Sequence, residues 1–352
     1  AAAGTGHPWA AGGADWPAMG EATVIEVDGV TVPITHPDKV FFPRLGATKL
    51  DLVRYYQSVA GPFLAEVRDR PVLLERYPNG AGGSSFFQKR VPASAPDWLT
   101  TVEVATPNGT TSDALVLADL AHALWAVNQG CLGFHVWPDR LPRLGIADEL
   151  RVDLDPSPGV AYPQLREAAW AVREVLAELG IDVWIKTSGS RGLHLYVGLE
   201  PHWDAYDVRL AAVALARELE RRHPDAITAQ WWKEERGSRV FVDFNQNAPH
   251  KTVFGAWCAR PRVGGQVSTP VAWEELDEIV PDELTIATVP ARVADQADPW
   301  QSKHEPRQDL TPLLDWAARD RAAGLPDAPW PPVYPKMPHE PPRVAPSRAR
   351  TT

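Results

Sequence analysis

The sequence predicts an α/β fold, on the alternation of strand and helix between residues 150 and 247. "RVDLDP" (151–156) and "IDVWIKTS" (181–188) read as strands. Between them, "YPQLREAAWAVREVLAELG" sets Leu165, Ala169, Val172, Leu176 and Leu179 on one helical stripe that closes at Gly180. A second helix over 206–222 and the strand "RVFVDFNQN" (239–247), with Val240, Val242 and Phe244 on one face, continue the pattern.

A second α/β part is expected before this core. "ATVIEVDGVTVPI" (22–34) reads as a hairpin, because an Asp28-Gly29 turn is flanked by apolar and β-branched residues. "TKLDLVRYYQSVAGPFLAEV" (48–67) spaces Leu52, Tyr55, Tyr56, Val59 and Phe63 as one helix, and "LADLAHALWAVNQG" (117–130) does so with Leu120, Leu124 and Val127. The expected organisation is a flexible, Ala- and Gly-rich segment over 1–20, a catalytic domain over 21–290, and a Pro-rich C-terminal extension over 291–352. Trp330 and Tyr334 would anchor that extension if it lies across the domain; otherwise it is a loose tail.

Composition narrows the class of protein. With 352 residues, 44% hydrophobic and 23% charged, the chain can bury a substantial core. Its apolar runs fall short of the roughly 18 to 20 residues that cross a bilayer, and its start lacks a basic-then-apolar leader, so no membrane partner and a cytoplasmic location are expected. Two cysteines, Cys131 and Cys258, cannot build a disulfide framework or a four-cysteine zinc site. A formal charge of −10 argues against general adhesion to nucleic acid but leaves room for a local basic groove.

The chemistry begins with Asp153 and Asp155. On a strand they share one face, while Val152 and Leu154 share the other. Carboxylates roughly 5 to 7 Å apart repel by about 2 to 3 kcal/mol at an effective dielectric near 20, a cost that a bound cation turns into attraction. An isolated Asp-x-Asp is also a common solvated strand end. Asp243, opposite Val242 and Phe244, is a third carboxylate displayed in the same way. Three acids with open water positions suit magnesium or manganese, and two such ions are the usual arrangement for phosphoryl transfer.

Between the acids, "TSGSRGLHLYVGL" (187–199) offers a small Gly-Ser loop whose backbone N–H groups can approach a phosphate. Ser188, Arg191 and His194 are its polar members, and no Walker loop occurs anywhere in the chain. His135 in "CLGFHVWP", Arg236 in "KEERGSR" and Arg260 in "WCARP" gain weight only from this company.

Asp-Leu-Asp-Pro, then Ser-Gly-Ser-Arg-Gly-Leu-His, then Val-Phe-Val-Asp-Phe-Asn-Gln-Asn, in this order and spacing, resembles the archaeo-eukaryotic primase superfamily. More closely, the stretch from "THPDKVFFP" (35–43) through "FFQKR" (86–90) to "KTVFGAWCARP" (251–261) resembles the polymerase domain of bacterial DNA repair ligase D and its stand-alone primase-polymerase relatives. The resemblance covers roughly residues 24–290. It implies a central sheet like that of an RNA-recognition motif with the N-terminal α/β part packed beside it. It also implies nucleotidyl transfer from nucleoside triphosphates, used to fill short gaps in end joining or base excision repair.

Residue by residue, the resemblance makes Asp153, Asp155 and Asp243 ligands of two Mn2+ or Mg2+ ions. It places Ser188, Arg191 and His194 on the triphosphate, Arg236 and Arg260 near the nucleotide, and His135 near its sugar. It gives Lys39 and Lys49 a downstream 5′-phosphate, and Phe86, Phe87 and Lys89 the DNA, with the aromatic rings stacking on the template. Ribonucleotides would be preferred. One departure is Glu75 in "LLERYPNG", where a basic residue is expected in relatives. No Lys-x-Asp-Gly adenylation motif is present, so a separate ATP-dependent DNA ligase is the implied partner on gapped or broken DNA, and, more weakly, Ku. Two other functions compete: a glycosyltransferase using Asp-x-Asp, which explains only the first motif, and a non-catalytic nucleic-acid-binding protein of the same fold, which would not need the acids.

Overall fold

The alternation at Asp153 and Asp155 is built into the longest edge-to-edge contact of the molecule. In a computed structural model describing residues 22–303, 305 and 308–343, the strand Ile146–Pro156 buries Val152 and Leu154 in an apolar core and turns its acids away from it. The segment expected to be flexible, 1–20, lies outside the described residues. This strand is central in a six-stranded sheet of order Ile227–Thr228, Val240–Val242, Ile146–Pro156, Leu193–Asp204, Trp184–Thr187 and Pro270–Val271. Only the first pair is parallel. The helices Tyr162–Ala177 and Ala205–Arg222 supply the other half of that core. Burying side chains of this size is worth about 1.5 to 3 kcal/mol each, so the acidic face is left as the face available for function.

The N-terminal part forms a second six-stranded sheet in which Pro71–Arg76 lies beside Cys131–Val136, Thr111–Val116 and Phe86–Gln88. Its core is closed by helices Lys49–Ser58, Ala60–Val67 and Leu120–Asn128. The expected hairpin is present as Thr23–Val27 and Val30–Ile34, with both Asp28 and Gly29 at positive φ, as the tightest two-residue turn demands.

Two elements differ from expectation. The helix expected over 48–67 is two helices, broken at Val59. Pro62 has no N–H to give the Ser58 carbonyl, so the first helix ends there and the second restarts from Val59. The strand expected over 239–247 stops at Val242, and Phe244–Asn247 is a 3-10 turn. Asp243 causes this by accepting the Asn245 N–H (3.1 Å) on its side chain while its own N–H stays on the Asp153 carbonyl (2.8 Å). Phe244 still reaches the core.

Past residue 290 the chain remains packed on both cores. Trp300 is buried and donates from its indole to the Ile185 carbonyl (2.9 Å), and helix Thr311–Ala322 packs along Ala205–Arg222 through Leu310 and Leu313. The Pro-rich stretch lies across the domain, with Trp330 and Tyr334 buried. The Arg209 guanidinium sits 3.8 Å from the Trp330 ring centre, and the Tyr334 hydroxyl donates to the Pro249 carbonyl.

Candidate active site

Asp153, Asp155 and Asp243 each place a carboxylate oxygen within 4.8 Å of the others, because Asp243 leaves its strand beside the strand that carries the other two. No solvent reaches Asp153 Oδ1, and no hydrogen bond satisfies it. Burial first, then the charges of Asp155 and Asp243, push the Asp153 carboxyl well above the usual carboxylate range. Burial raises Asp155 and Asp243 as well. A buried carboxylate oxygen without a donor, repelled by two neighbours, fits a hard divalent cation. Gln246 holds Asp243 from the side, its amide donating to Oδ2 (2.7 Å).

Asp153 and Asp155 floor a cleft of about 590 Å3, with Gln246 bringing Asp243 to its edge, and His135, Ser188, Arg191, His194, Arg236 and Arg260 all open into it. The Gly-Ser loop takes its shape from two features. Ser188 Oγ accepts the N–H groups of Ser190 (3.1 Å) and Gly192 (3.0 Å), and Gly189 has φ +69° where a Cβ would lie 2.6 Å from Arg260 Cγ. Arg260 in turn donates to the Ser188 carbonyl (2.7 Å) and lies over the Phe254 ring (3.9 Å). Arg236 caps the far side over Phe241 (3.5 Å). Cations therefore ring a carboxylate cluster, as an anionic ligand carrying a metal would require.

His194 occupies the register position opposite Asp153, with Nε2 3.3 Å from Asp153 Oδ1. Burial, then the charges of Lys186 and Arg260, hold its ring well below the usual histidine range, so it is neutral. His135, from the other sheet, is clamped edge-on between Phe87 and Phe254, and its Nε2 lies 3.0 Å from Glu75 Oε2. Burial works against ionisation of Glu75, but bonds from His135 and the Tyr77 hydroxyl (2.9 Å) outweigh it and hold the carboxyl low. Gly133 makes room for this arrangement, since a Cβ there would lie 2.8 Å from Glu75 Oε2.

Phe86, Phe87 and Lys89 are exposed beside the cleft residue His135, through the Phe87 contact. Lys39 and Lys49 stand together, joined by the Lys49 N–H to Lys39 carbonyl bond (2.8 Å), with Lys49 opening a helix. They differ in exposure. Lys39 is exposed and donates to Asn79 Oδ1 (3.0 Å), whereas Lys49 is buried against the Thr35 carbonyl (2.6 Å) and Asn128 (3.1 and 3.3 Å). Burial and the Lys39 charge lower Lys49 to about 8. Two helix-start N–H groups, Thr48 and Asp51, are already taken by a capping box.

Residues 48–300 match the family model of the LigD primase-polymerase domain. The chain belongs to that family.

Relatives include the multifunctional non-homologous end joining DNA repair protein LigD of Mycobacterium tuberculosis. It is 37% identical over 276 residues, covering 76% of this chain and 36% of the relative. The LigD protein of Pseudomonas aeruginosa is 33% identical over 289 residues, covering 80% and 34%. The chain thus spans about a third of the length of these curated relatives. Among solved structures, the polymerase domain of Mycobacterium tuberculosis ligase D in complex with DNA superposes with a TM-score of 0.73 at 34% identity, covering 79% of this chain and 99% of that one. The mixed α/β fold is the one this LigD family member was expected to have.

Sequence reasoning missed Gln246, Lys233 and Lys186. Gln246 and Lys233 line the cleft, and Lys186 lies beneath it. The signal for Gln246 is its place three residues after Asp243 in "VFVDFNQN". Lys186 offered one signal, a lysine inside the apolar strand "DVWIKT". Among the described residues no helix is long and apolar enough to cross a membrane.

Proposed function

We propose that this LigD family member is a cytoplasmic, DNA-dependent nucleotidyltransferase that extends a primer end across short gaps. The observation that carries the reading is the carboxylate trio within 4.8 Å, set in a cleft walled by Arg191, Arg236 and Arg260. Asp153, Asp155 and Asp243 would hold Mn2+ or Mg2+, which when bound supplies charge neutralisation at the phosphates and a more acidic primer hydroxyl. The chain's own groups bind and orient: His194 and Arg191 face the triphosphate, the Ser188 loop presents backbone N–H groups, and exposed Phe86 and Phe87 stack on template bases. A nucleotide-sugar transferase would leave Asp243 and the aromatic pair without a use. Incubation with labelled nucleoside triphosphate, primed template and manganese should give extension; none under any metal condition overturns the reading.

Ribonucleotides are the expected substrates. His135, with Glu75 behind it, makes a polar wall where a bulky apolar gate would exclude a 2′-hydroxyl. Steady-state competition should therefore favour ribonucleotides, and His135→Ala should shrink the preference. A wild-type preference for deoxyribonucleotides sinks this assignment.

Lys39 and Lys49 are proposed to receive the 5′-phosphate beyond a gap. With Lys49 engaged internally, Lys39 is expected to contribute more. A 5′-phosphate should tighten gap binding by about 1.5 to 3 kcal/mol, the scale of one charge-assisted contact. Lys39→Ala should remove most of that gain and the double Lys39→Ala, Lys49→Ala change all of it. Fluorescence anisotropy on paired phosphate and hydroxyl gaps checks this; an undiminished preference in the double variant removes both lysines from the site. An ATP-dependent ligase activity is proposed to seal the filled gap, with Ku a further candidate partner.

A further inference from the structure

The 3-10 turn Phe244–Asn247 supplies both groups that hold the Asp243 carboxylate: the Asn245 N–H on Oδ1 (3.1 Å) and the Gln246 amide on Oδ2 (2.7 Å). Turns of this kind have poorer hydrogen-bond geometry than an α-helix, so what fixes this one comes from outside it. Asn247 ties it to the strand that carries Asp153, accepting the Arg151 N–H (2.9 Å) and donating to the Arg151 carbonyl (2.7 Å). Asn245 reaches the other way. Its Oδ1 accepts from Nε of Arg209 (2.8 Å), and its Nδ2 donates to the Pro329 carbonyl (3.0 Å). Both directions are set, because a guanidinium only donates and a carbonyl only accepts.

Arg209 leans on the same Pro-rich stretch. It is buried, its Nη2 donates to the carbonyls of Ala328 (2.9 Å) and Pro329 (3.2 Å), its Nη1 to Asp327 Oδ1 (3.3 Å), and the Trp330 ring covers its face. Of these partners, Asn245 alone lies outside the stretch. A buried cation stripped of the others would turn toward water and release Asn245 with it. Two residues past the turn, the Pro249 carbonyl accepts the Tyr334 hydroxyl. A stretch that only covered apolar surface would need none of these directed contacts.

We propose that residues 327–334, which follow the part of the chain matched to the family, are positioning residues: through Arg209 and Asn245 they fix the turn that orients Asp243, and so raise the affinity of the acidic site for its divalent cation. The cation half rests on the function proposed above; the hold of the stretch on the turn does not. Groups that orient a metal ligand tune affinity without touching the metal, and this stretch does so at one remove.

The two halves are read separately in the full chain. Hydrogen–deuterium exchange of metal-free protein should show peptides over 243–249 exchanging about tenfold faster in Trp330→Ala than in wild type, with peptides over 193–199 unchanged. Manganese titration, read by the electron paramagnetic resonance of the free ion, should show binding about tenfold weaker in Trp330→Ala and in Asn245→Ala, with the double variant no weaker than Asn245→Ala alone. Val175→Ala, a cavity in the core behind the sheet, should lower the melting temperature and leave manganese binding unchanged. Unchanged exchange over 243–249 in Trp330→Ala overturns the proposal, as do unchanged manganese binding in that variant, additive losses in the double variant, or an equal loss in Val175→Ala. If Trp330→Ala does not fold, Tyr334→Phe, which lacks one hydroxyl, decides by the same two measurements. Absence of manganese binding in wild type overturns the function proposed above, while the exchange result still decides the hold on the turn.

Discussion

Asp153→Asn and Asp155→Asn should each abolish nucleotide addition, by about three orders of magnitude or more, while the protein remains folded. The size follows from what the carboxylates are proposed to hold: a divalent cation would contribute several kcal/mol of charge stabilisation to phosphoryl transfer, and each 1.36 kcal/mol is tenfold in rate. Stability should move in the opposite direction. Asp153 has its carboxyl raised well above the usual range by burial and by Asp155 and Asp243. A group with a raised folded value contributes stability that is present below its unfolded value and lost as pH rises through the folded one. In chelator at neutral pH, wild type therefore carries a penalty that Asp153→Asn relieves, and the variant should melt at or above the wild-type temperature. Manganese should reverse the order by stabilising only wild type. Thermal melts with and without manganese, beside single-turnover extension, check both parts. Wild-type turnover in either variant would remove these residues from the reaction, and a large loss of melting temperature in chelator would mean that the acids are structural.

Legibility differed between the two kinds of residue in this site. Asp153, Asp155 and His194 were readable because strand alternation fixes which side chains leave the core, and the sheet indeed sends Val152, Leu154, Leu193 and Leu195 one way and these three the other. Helix positions were readable for the same reason at a different period. What local periodicity misses is pairing between distant segments. Lys186 is an apolar-strand anomaly until register sets it opposite His194, and Glu75 is an odd acid until Gly133 lets it cross to His135. The end of the strand at Val242 was hidden because "VFVDFNQN" keeps its apolar alternation through Phe244, while the Asp243 side chain bends the backbone away from it. Lys49 reads as a surface helix-start lysine, and only the fold shows Thr35 and Asn128 closing over it.

The same blindness to distant partners applies to Lys303, a lysine in the weakly patterned segment after residue 290. Its side chain is wholly buried, with Nζ 2.5 Å from Glu66 and 3.0 Å from Glu149, over the rings of Trp300 (4.4 Å) and Tyr196 (4.8 Å). Glu66 belongs to helix Ala60–Val67 and Glu149 to the strand Ile146–Pro156, so one ammonium ties the C-terminal segment to both parts of the fold. Burial opposes the charge on Glu149, but Arg70, Lys303 and Arg151 outweigh it and keep the carboxyl well below the usual range. Lys303→Met keeps the apolar stem against the two rings and removes only the charge. The variant takes one cation out of a buried cluster in which Arg70 (3.1 Å) and Arg151 (2.8 Å) also hold Glu149. Breaking one side of a buried ionic cluster costs about 3 to 5 kcal/mol, a large share of the roughly 5 to 15 kcal/mol that holds a typical domain together. Urea unfolding should therefore show a sharply lower midpoint for Lys303→Met. Adding Glu66→Gln should restore part of it, because the second change removes one of the two carboxylates that faced the ammonium and brings the cluster's charge back toward balance. A wild-type midpoint in the single variant would show that the ammonium is dispensable to the cluster; no recovery in the double variant would place the cost in the packing around Trp300 and Tyr196. Because Glu149 lies four residues before Asp153 on one strand, the single variant should also lose nucleotide addition at temperatures where its fold still holds.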